Sequence, residues 1–171
     1  MFFYIVYNIK KMLNVQQQEH IKSDDYETPK SAFEDILHLI PRDKLIWDPF
    51  YCNGRSGQYM TELGLNVYHT DVDFFENNFG DIIISNPPFS KKKEVLTRLI
   101  ELDKPFMLLL PTNTINYQYF HTIFNHKKIQ IIIPPKRINF IKDGIQSKRC
   151  YFDCIWITYK MNFQNDIYFL K

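Results

Sequence analysis

The 171 residues, 45% hydrophobic and 16% aromatic, exclude a disordered chain and suffice for a single core that needs no covalent staple. The formal net charge of +2 hides an asymmetry: residues 1–90 carry seven basic and thirteen acidic side chains, net −6, while residues 91–171 carry fourteen and six, net +8. A basic second half suits a phosphate-bearing partner. The apolar opening Met1 to Tyr7 is too short to span a bilayer and lacks the basic lead and cleavage site of a signal peptide, so no membrane partner is expected. Cys52, Cys150 and Cys154 are odd in number and have no metal-ligand spacing, which predicts reduced thiols in an intracellular compartment, cytoplasm or nucleus. The five histidines likewise show no ligand spacing, so no metal site is expected.

No repeat or low-complexity linker interrupts the chain, which divides into an extension over residues 1–23 and one domain over 24–171. Thr28-Pro29 predicts a helix start, with Thr28 as cap and Pro29 first in the helix, or alternatively a capping box of Ser31 and Glu34. Phe33, Ile36, Leu37 and Ile40 then repeat at helical spacing up to Pro41. Leu45-Ile46-Trp47 predicts a buried strand, residues 56–63 a second helix closed by a left-handed Gly64, and residues 65–70 a second strand. The apolar run 81–85 predicts a third strand, followed by a helix from Lys91–Lys93, a strand over 106–110 and an aromatic helix over about 115–124. Alternating apolar strands and helices imply a parallel, doubly covered sheet. The end of the chain departs from this pattern, because residues 137–141 and 151–159 read as two strands joined directly, an antiparallel hairpin at the sheet edge.

The third strand runs into Asn86-Pro87-Pro88-Phe89. Proline fixes φ and donates no hydrogen bond, so the carbonyls of Asn86 and Pro87, with the Asn86 side-chain oxygen, can accept both hydrogens of an exocyclic amine while Phe89 lies on the ring that carries it. Asp48-Pro49-Phe50-Tyr51-Cys52-Asn53-Gly54 occupies the first strand-to-helix turn, where a carboxylate and a glycine allow close approach to a nucleotide-like cofactor. Asp71 ends the second strand, where an acceptor-only carboxylate can hold two ribose hydroxyls, and Asp73 competes for that role. Only fifteen positions separate Asp71 from Asn86, which predicts that the usual helix and strand between them are abbreviated or missing. The basic groups Lys91-Lys92, Lys136-Arg137 and Lys148-Arg149 fall at loops and element ends, as a phosphate-contacting rim requires.

In this order the motifs resemble those of S-adenosylmethionine-dependent amino-methyltransferases, specifically the phage-type enzymes that methylate the 6-amino group of adenine. The resemblance covers residues 24–160 and implies a Rossmann-like α/β fold. It places Tyr26, Thr28, Asp48, Phe50, Gly54, Asp71 and Asp73 around S-adenosylmethionine, with Asp48 near the methionine amino group. It makes Asn86, Pro87, Pro88 and Phe89 the catalytic loop. Cys52 departs from the pattern by standing where the family's loop has its first glycine. Pro135 to Phe140 resembles the family's late strand motif, in which Arg137 and Phe140 border the target pocket. The implied partner is nucleic acid, DNA before RNA, with a protein partner for target recognition because no recognition insert is visible. Methylation of RNA or of a protein glutamine, and a catalytically silent scaffold subunit, are the alternatives.

Overall fold

The computed structural model describes residues 26–147 and 152–171; the extension 1–23 and the pair Lys148-Arg149 lie outside them. Seven strands form one sheet in the order β2 (Asn66–Tyr68), β1 (Leu45–Trp47), β3 (Ile82–Ser85), β4 (Phe106–Pro111), β8 (Cys154–Tyr159), β5 (Ile129–Ile133) and β9 (Ile167–Phe169). β8 alone runs against its neighbours; β4 and β5 pair antiparallel to it, while β1–β2, β1–β3, β3–β4 and β5–β9 are parallel. This is the mainly parallel, Rossmann-like architecture expected.

Alternation along each strand divides the core into two layers, because successive side chains point to opposite faces. On one face Ile46, Ile82, Ile84, Met107, Leu109 and Trp156 pack with Phe33 and Ile36 of α1 (Lys30–Ile36) and Met60 of α2 (Arg55–Glu62). On the other, Trp47, Ile83, Leu108, Leu110 and Ile157 meet Leu96 and Leu99 of α3 (Lys92–Leu102) and Phe120 and Phe124 of α4 (Gln118–Phe124). Helices thus cover both faces.

The chain passes from β1 outward to β2 and then back across to β3, so the strand order reverses between β1 and β3. The carboxyl ends of strands at such a switch point form a crevice. Residues 69–81 contain no helix or strand, so the elements usual in that interval are missing, as the short spacing predicts. Gly80 makes this shortcut possible. Its φ is +65°, and a Cβ there would stand 2.8 Å from the Leu45 carbonyl oxygen, so only glycine lets the chain enter β3 this close to β1. Asp81 completes the junction, its N–H donating to the Leu45 carbonyl at 2.7 Å and its carboxylate accepting from the Leu45 N–H at 2.9 Å.

Three local expectations are corrected. The first helix begins at Lys30 behind Pro29, which stands at the cap position without a side-chain cap, so neither Thr28 nor Ser31 caps it. An antiparallel hairpin exists, but it is the short pair β6 (Ile141–Lys142) and β7 (Ile145–Gln146), apart from the main sheet. β8, expected at the edge, lies inside the sheet because β5 and β9 extend it beyond.

Candidate functional site

The loops after β1, β2 and β3 enclose a cleft of about 350 Å³. Tyr26, Phe50, Asp71, Asp73, Asn86 and Pro88, all expected at the site, line it, together with Tyr51, Cys52, the 72–75 segment and Lys91, the last expected on phosphate. Asp48, Thr28, Gly54, Pro87 and Phe89 do not border it.

Asn86 carries the sharpest chemical signal. Its Nδ2 donates to the Tyr26 carbonyl at 3.5 Å, while Oδ1 is buried without a hydrogen-bond partner. An unpaired buried acceptor costs about 1–3 kcal/mol, so it marks a place where a donor belongs. Behind it the Pro88 carbonyl accepts from the Lys91 N–H at 3.1 Å, turning the chain into α3.

Phe89 is held by an aromatic cluster. Phe152 lies edge-on at 5.2 Å between centroids and Phe140 at 6.3 Å; both also contact Tyr26, at 5.9 and 6.2 Å. Phe140, expected at the target rim, is fully buried. It supports Phe89 and Tyr26 and has no ring face to offer a nucleobase. Lys92, expected on phosphate, places its ammonium 5.7 Å from the ring centres of both Phe89 and Tyr117.

Tyr26 is anchored through its neighbour Glu27. The Glu27 backbone pairs both ways with Ile141, at 2.8 and 2.9 Å. Its buried carboxylate accepts from Asn53 Nδ2 at 2.8 Å and from the Tyr59 hydroxyl at 2.9 Å. One side chain therefore ties the entry segment to the loop after β1 and to α2. Glu27 stands between Tyr26 and Thr28, two residues expected at the cofactor, but the sequence gives it no role.

Asp48 is fully buried. Its Oδ1 accepts a short hydrogen bond from Ser85 Oγ, and its Oδ2 lies 3.0 Å from His69 Nδ1, which is also 3.0 Å from the Asp48 carbonyl. His69 stacks on Tyr51 with centroids 4.8 Å apart and planes 25° apart. Burial alone would lower the His69 pKa, but the Asp48 hydrogen bonds and charge outweigh it and raise the value above that of an ordinary histidine. The sequence gives no sign of this partnership, since a histidine two positions before Asp71 has no recognisable spacing to Asp48.

The two aspartates after β2 differ. Asp73 spends its side chain on the Phe75 N–H at 2.7 Å, forming a local turn closed by Asn77 Nδ2 on its carbonyl at 2.8 Å. Asp71 is exposed at the cleft, and no described group bonds to it. In the loop after β1, Cys52 has φ +49° and Gly54 φ +82°. The cysteine therefore occupies the left-handed conformation for which a glycine would be the unstrained choice.

Lys136 is exposed, and Arg137 is engaged by Asp153 in a forked pair at 2.5 and 3.0 Å. Among the described residues no group of three or more His, Cys, Asp or Glu could hold a metal ion, and no helix is long and apolar enough to cross a membrane.

Residues 51–140 match the model of a family described as adenine-specific methyltransferase EcoRI. The type II methyltransferase M.EcoRI of Escherichia coli is 39% identical over 115 residues, which is 67% of this chain and 32% of that protein. The chain therefore spans about a third of that relative's length. A dimethyladenosine transferase from Plasmodium falciparum is similar in structure, with TM-score 0.47 and 12% identity over 78% of this chain and 62% of the other. The tRNA (m1A58) methyltransferase TrmI from Aquifex aeolicus gives a TM-score of 0.40 at 13% identity, over 76% and 67% of the two chains.

Proposed function

Because the chain belongs to the EcoRI family of adenine-specific methyltransferases, we propose that it moves a methyl group from S-adenosylmethionine to the 6-amino group of adenine in nucleic acid, with DNA as the favoured substrate. The observation that carries this is the buried, unpaired Asn86 Oδ1 at the wall of the cleft.

The residues present fit the cofactor. The cleft has the volume of a small-molecule site, and Asp71 offers it an unengaged carboxylate suited to two ribose hydroxyls. Tyr26, Phe50 and Asp73 line the same space. Thr28, Asp48 and Gly54 shape it from behind: Gly54 by the left-handed turn that starts α2, Asp48 by the hydrogen bonds beneath the loop, and Thr28 in the buried segment that carries Tyr26. When bound, S-adenosylmethionine supplies an electrophilic methyl group.

The chain's own contribution is positioning. Asn86 Oδ1 accepts a hydrogen from the exocyclic amine and orients its lone pair, and the rigid Pro87-Pro88 step fixes the direction of the amide. Phe89, braced by Phe140 and Phe152, offers a ring to the adenine that has left the stack; base–aromatic stacking of about 1–3 kcal/mol offsets part of the cost of extrusion. No strong base is needed, because the proton leaves an amine already made acidic by methylation. Lys91, Lys92, Lys136 and Arg137 lie on the basic half that meets phosphate, and Lys148 and Arg149 belong to the same set.

Transfer of labelled methyl groups to separate DNA, RNA and protein pools tests this. Label in DNA adenine that disappears in Asn86→Ala, with cofactor affinity kept, is the expected result. Label in RNA or in protein glutamine would redirect the substrate, and an Asn86→Ala protein transferring at the wild-type rate would refute the role of the amide.

A further inference from the structure

His69 lies outside the cleft and plays no part in the proposed chemistry, yet it packs against the loop that forms one wall of the cleft. Its ring fills a slot with three sides. The Asp48 carboxylate and carbonyl lie 3.0 Å from Nδ1, the Tyr51 ring stacks on one face, and the backbone of α2 closes the slot at Gly57, where a Cβ would fall 2.3 Å from His69 Cγ. Tyr51 and its neighbours Pro49, Phe50 and Cys52 all line the cleft.

We propose that His69 is a positioning residue: pinned to Asp48 and stacked on Tyr51, it sets the position of the Pro49–Cys52 wall and thereby the affinity of the cleft for its ligand. The slot explains how. Asp48 precedes that wall and is itself immobilised from β3 by Ser85, so the loop is anchored at one end by a carboxylate and in the middle by a stacked ring, and His69 is common to both anchors. The link to S-adenosylmethionine rests on the function proposed above; the mounting of the loop does not.

The charge state of His69 gives the idea a signature that a merely space-filling ring would lack. The groups facing it are the Asp48 carboxylate and carbonyl at the end of β1, the Tyr51 ring from the loop, the bare Gly57 backbone from α2 and, through Asp48, the Ser85 hydroxyl from β3. Burial and an Nε2 without a hydrogen-bond partner oppose the charge, but Asp48, the charged one among these groups, outweighs the burial and the pKa is raised. A raised folded-state value means that this stabilisation is fully present below the unfolded histidine value, about pH 6.5, and is lost as pH rises through the folded one.

Calorimetric titration with S-adenosylmethionine and amide hydrogen exchange over residues 50–54, both across about pH 6 to 8.5, test the proposal on wild type and His69→Asn. Asparagine supplies a side-chain N–H near the place of Nδ1 but neither ring nor titration. Wild-type affinity should fall several-fold as pH rises, in step with falling protection over 50–54 once the intrinsic base catalysis of amide exchange is divided out. The variant should bind more weakly at low pH, show no trend with pH and exchange faster over 50–54 while β3 and β4 remain protected. Wild-type affinity and wild-type loop exchange in the variant at every pH would overturn the proposal. If neither protein binds S-adenosylmethionine, the cofactor assignment fails by itself and the exchange data still decide the role of His69. Should His69→Asn not fold, Tyr51→Leu removes the stack from the solvent side; it should lower loop protection and weaken the pH dependence of that protection, and unchanged protection would overturn the proposal equally.

Discussion

Asp71 and Asp73 stand two positions apart at one cleft, and their hydrogen bonds separate them. The Asp73 carboxylate already serves the Phe75 N–H, so its removal should loosen the 73–77 turn at a cost near the 0.5–1.5 kcal/mol of an ordinary hydrogen bond. Asp71 has no such local duty, so Asp71→Asn should leave the melting temperature within a degree or two while weakening S-adenosylmethionine binding by about tenfold, the equivalent of 1.4 kcal/mol for a charge-assisted contact. Paired thermal melts and titrations of both variants check this. A stable Asp73→Asn that loses affinity while Asp71→Asn keeps it would exchange the two roles. Sequence alone leaves both open, because it shows that two carboxylates follow β2 but not which one the turn consumes. The same limit applies to Phe140: its place in a motif is visible, its complete burial is not, since burial depends on Tyr26 and Phe89 arriving from distant segments.

Helix α2 shows how an element can be fixed by a single missing side chain. Glycine inside a helix ordinarily costs about 1 kcal/mol against alanine, so Gly57→Ala would stabilise an isolated α2. Here the new Cβ would sit 2.3 Å from the His69 ring, which cannot retreat between Asp48 and Tyr51. Overpacking of this kind costs about 1–3 kcal/mol, so the net effect should be destabilising, and chemical denaturation should show a lowered midpoint. In His69→Ala the same Gly57→Ala change should become neutral or favourable, a coupling that a double-mutant cycle reads directly. The elements themselves were largely legible: apolar runs and their stops place β1, β3, β4 and the two helices of each layer close to their observed bounds. β5 and β9 have no counterpart among the elements expected from the sequence. The run Ile-Gln-Ile-Ile-Ile of β5 is apolar and β-branched and could have been recognised. β9 could not, because only three residues form it and what holds it is remote. Buried Gln130 donates to the Phe163 and Asn165 carbonyls at 2.8 and 2.6 Å and accepts from the Phe163 N–H at 2.9 Å, fixing the loop that delivers the strand.

For the whole molecule, the charge asymmetry is what bears on a polyanionic partner. The acidic half surrounds the cleft and the basic half carries the candidate phosphate contacts, which favours an orientation with residues 91–171 on the nucleic acid. Neighbouring cations are not equivalent within that half. Lys136 is exposed, whereas the Arg137 guanidinium is forked onto Asp153. A phosphate would have to displace a hydrogen-bonded carboxylate from Arg137, whereas Lys136 feels only the longer-range attraction of Asp35. Each phosphate neutralised on duplex DNA contributes a slope of about −0.9 to log affinity against log salt. Lys136→Ala should therefore flatten the measured slope by close to that amount and weaken binding to all sequences alike. Arg137→Ala should flatten it by less, and Asp153→Asn, by releasing the guanidinium, should tighten binding and steepen the slope. Fluorescence anisotropy with unrelated duplexes across a salt series measures all three. A larger loss from Arg137→Ala than from Lys136→Ala, together with no gain in Asp153→Asn, would mean that the Arg137–Asp153 fork itself meets the DNA. A loss confined to particular sequences would move these residues from phosphate contact to base readout.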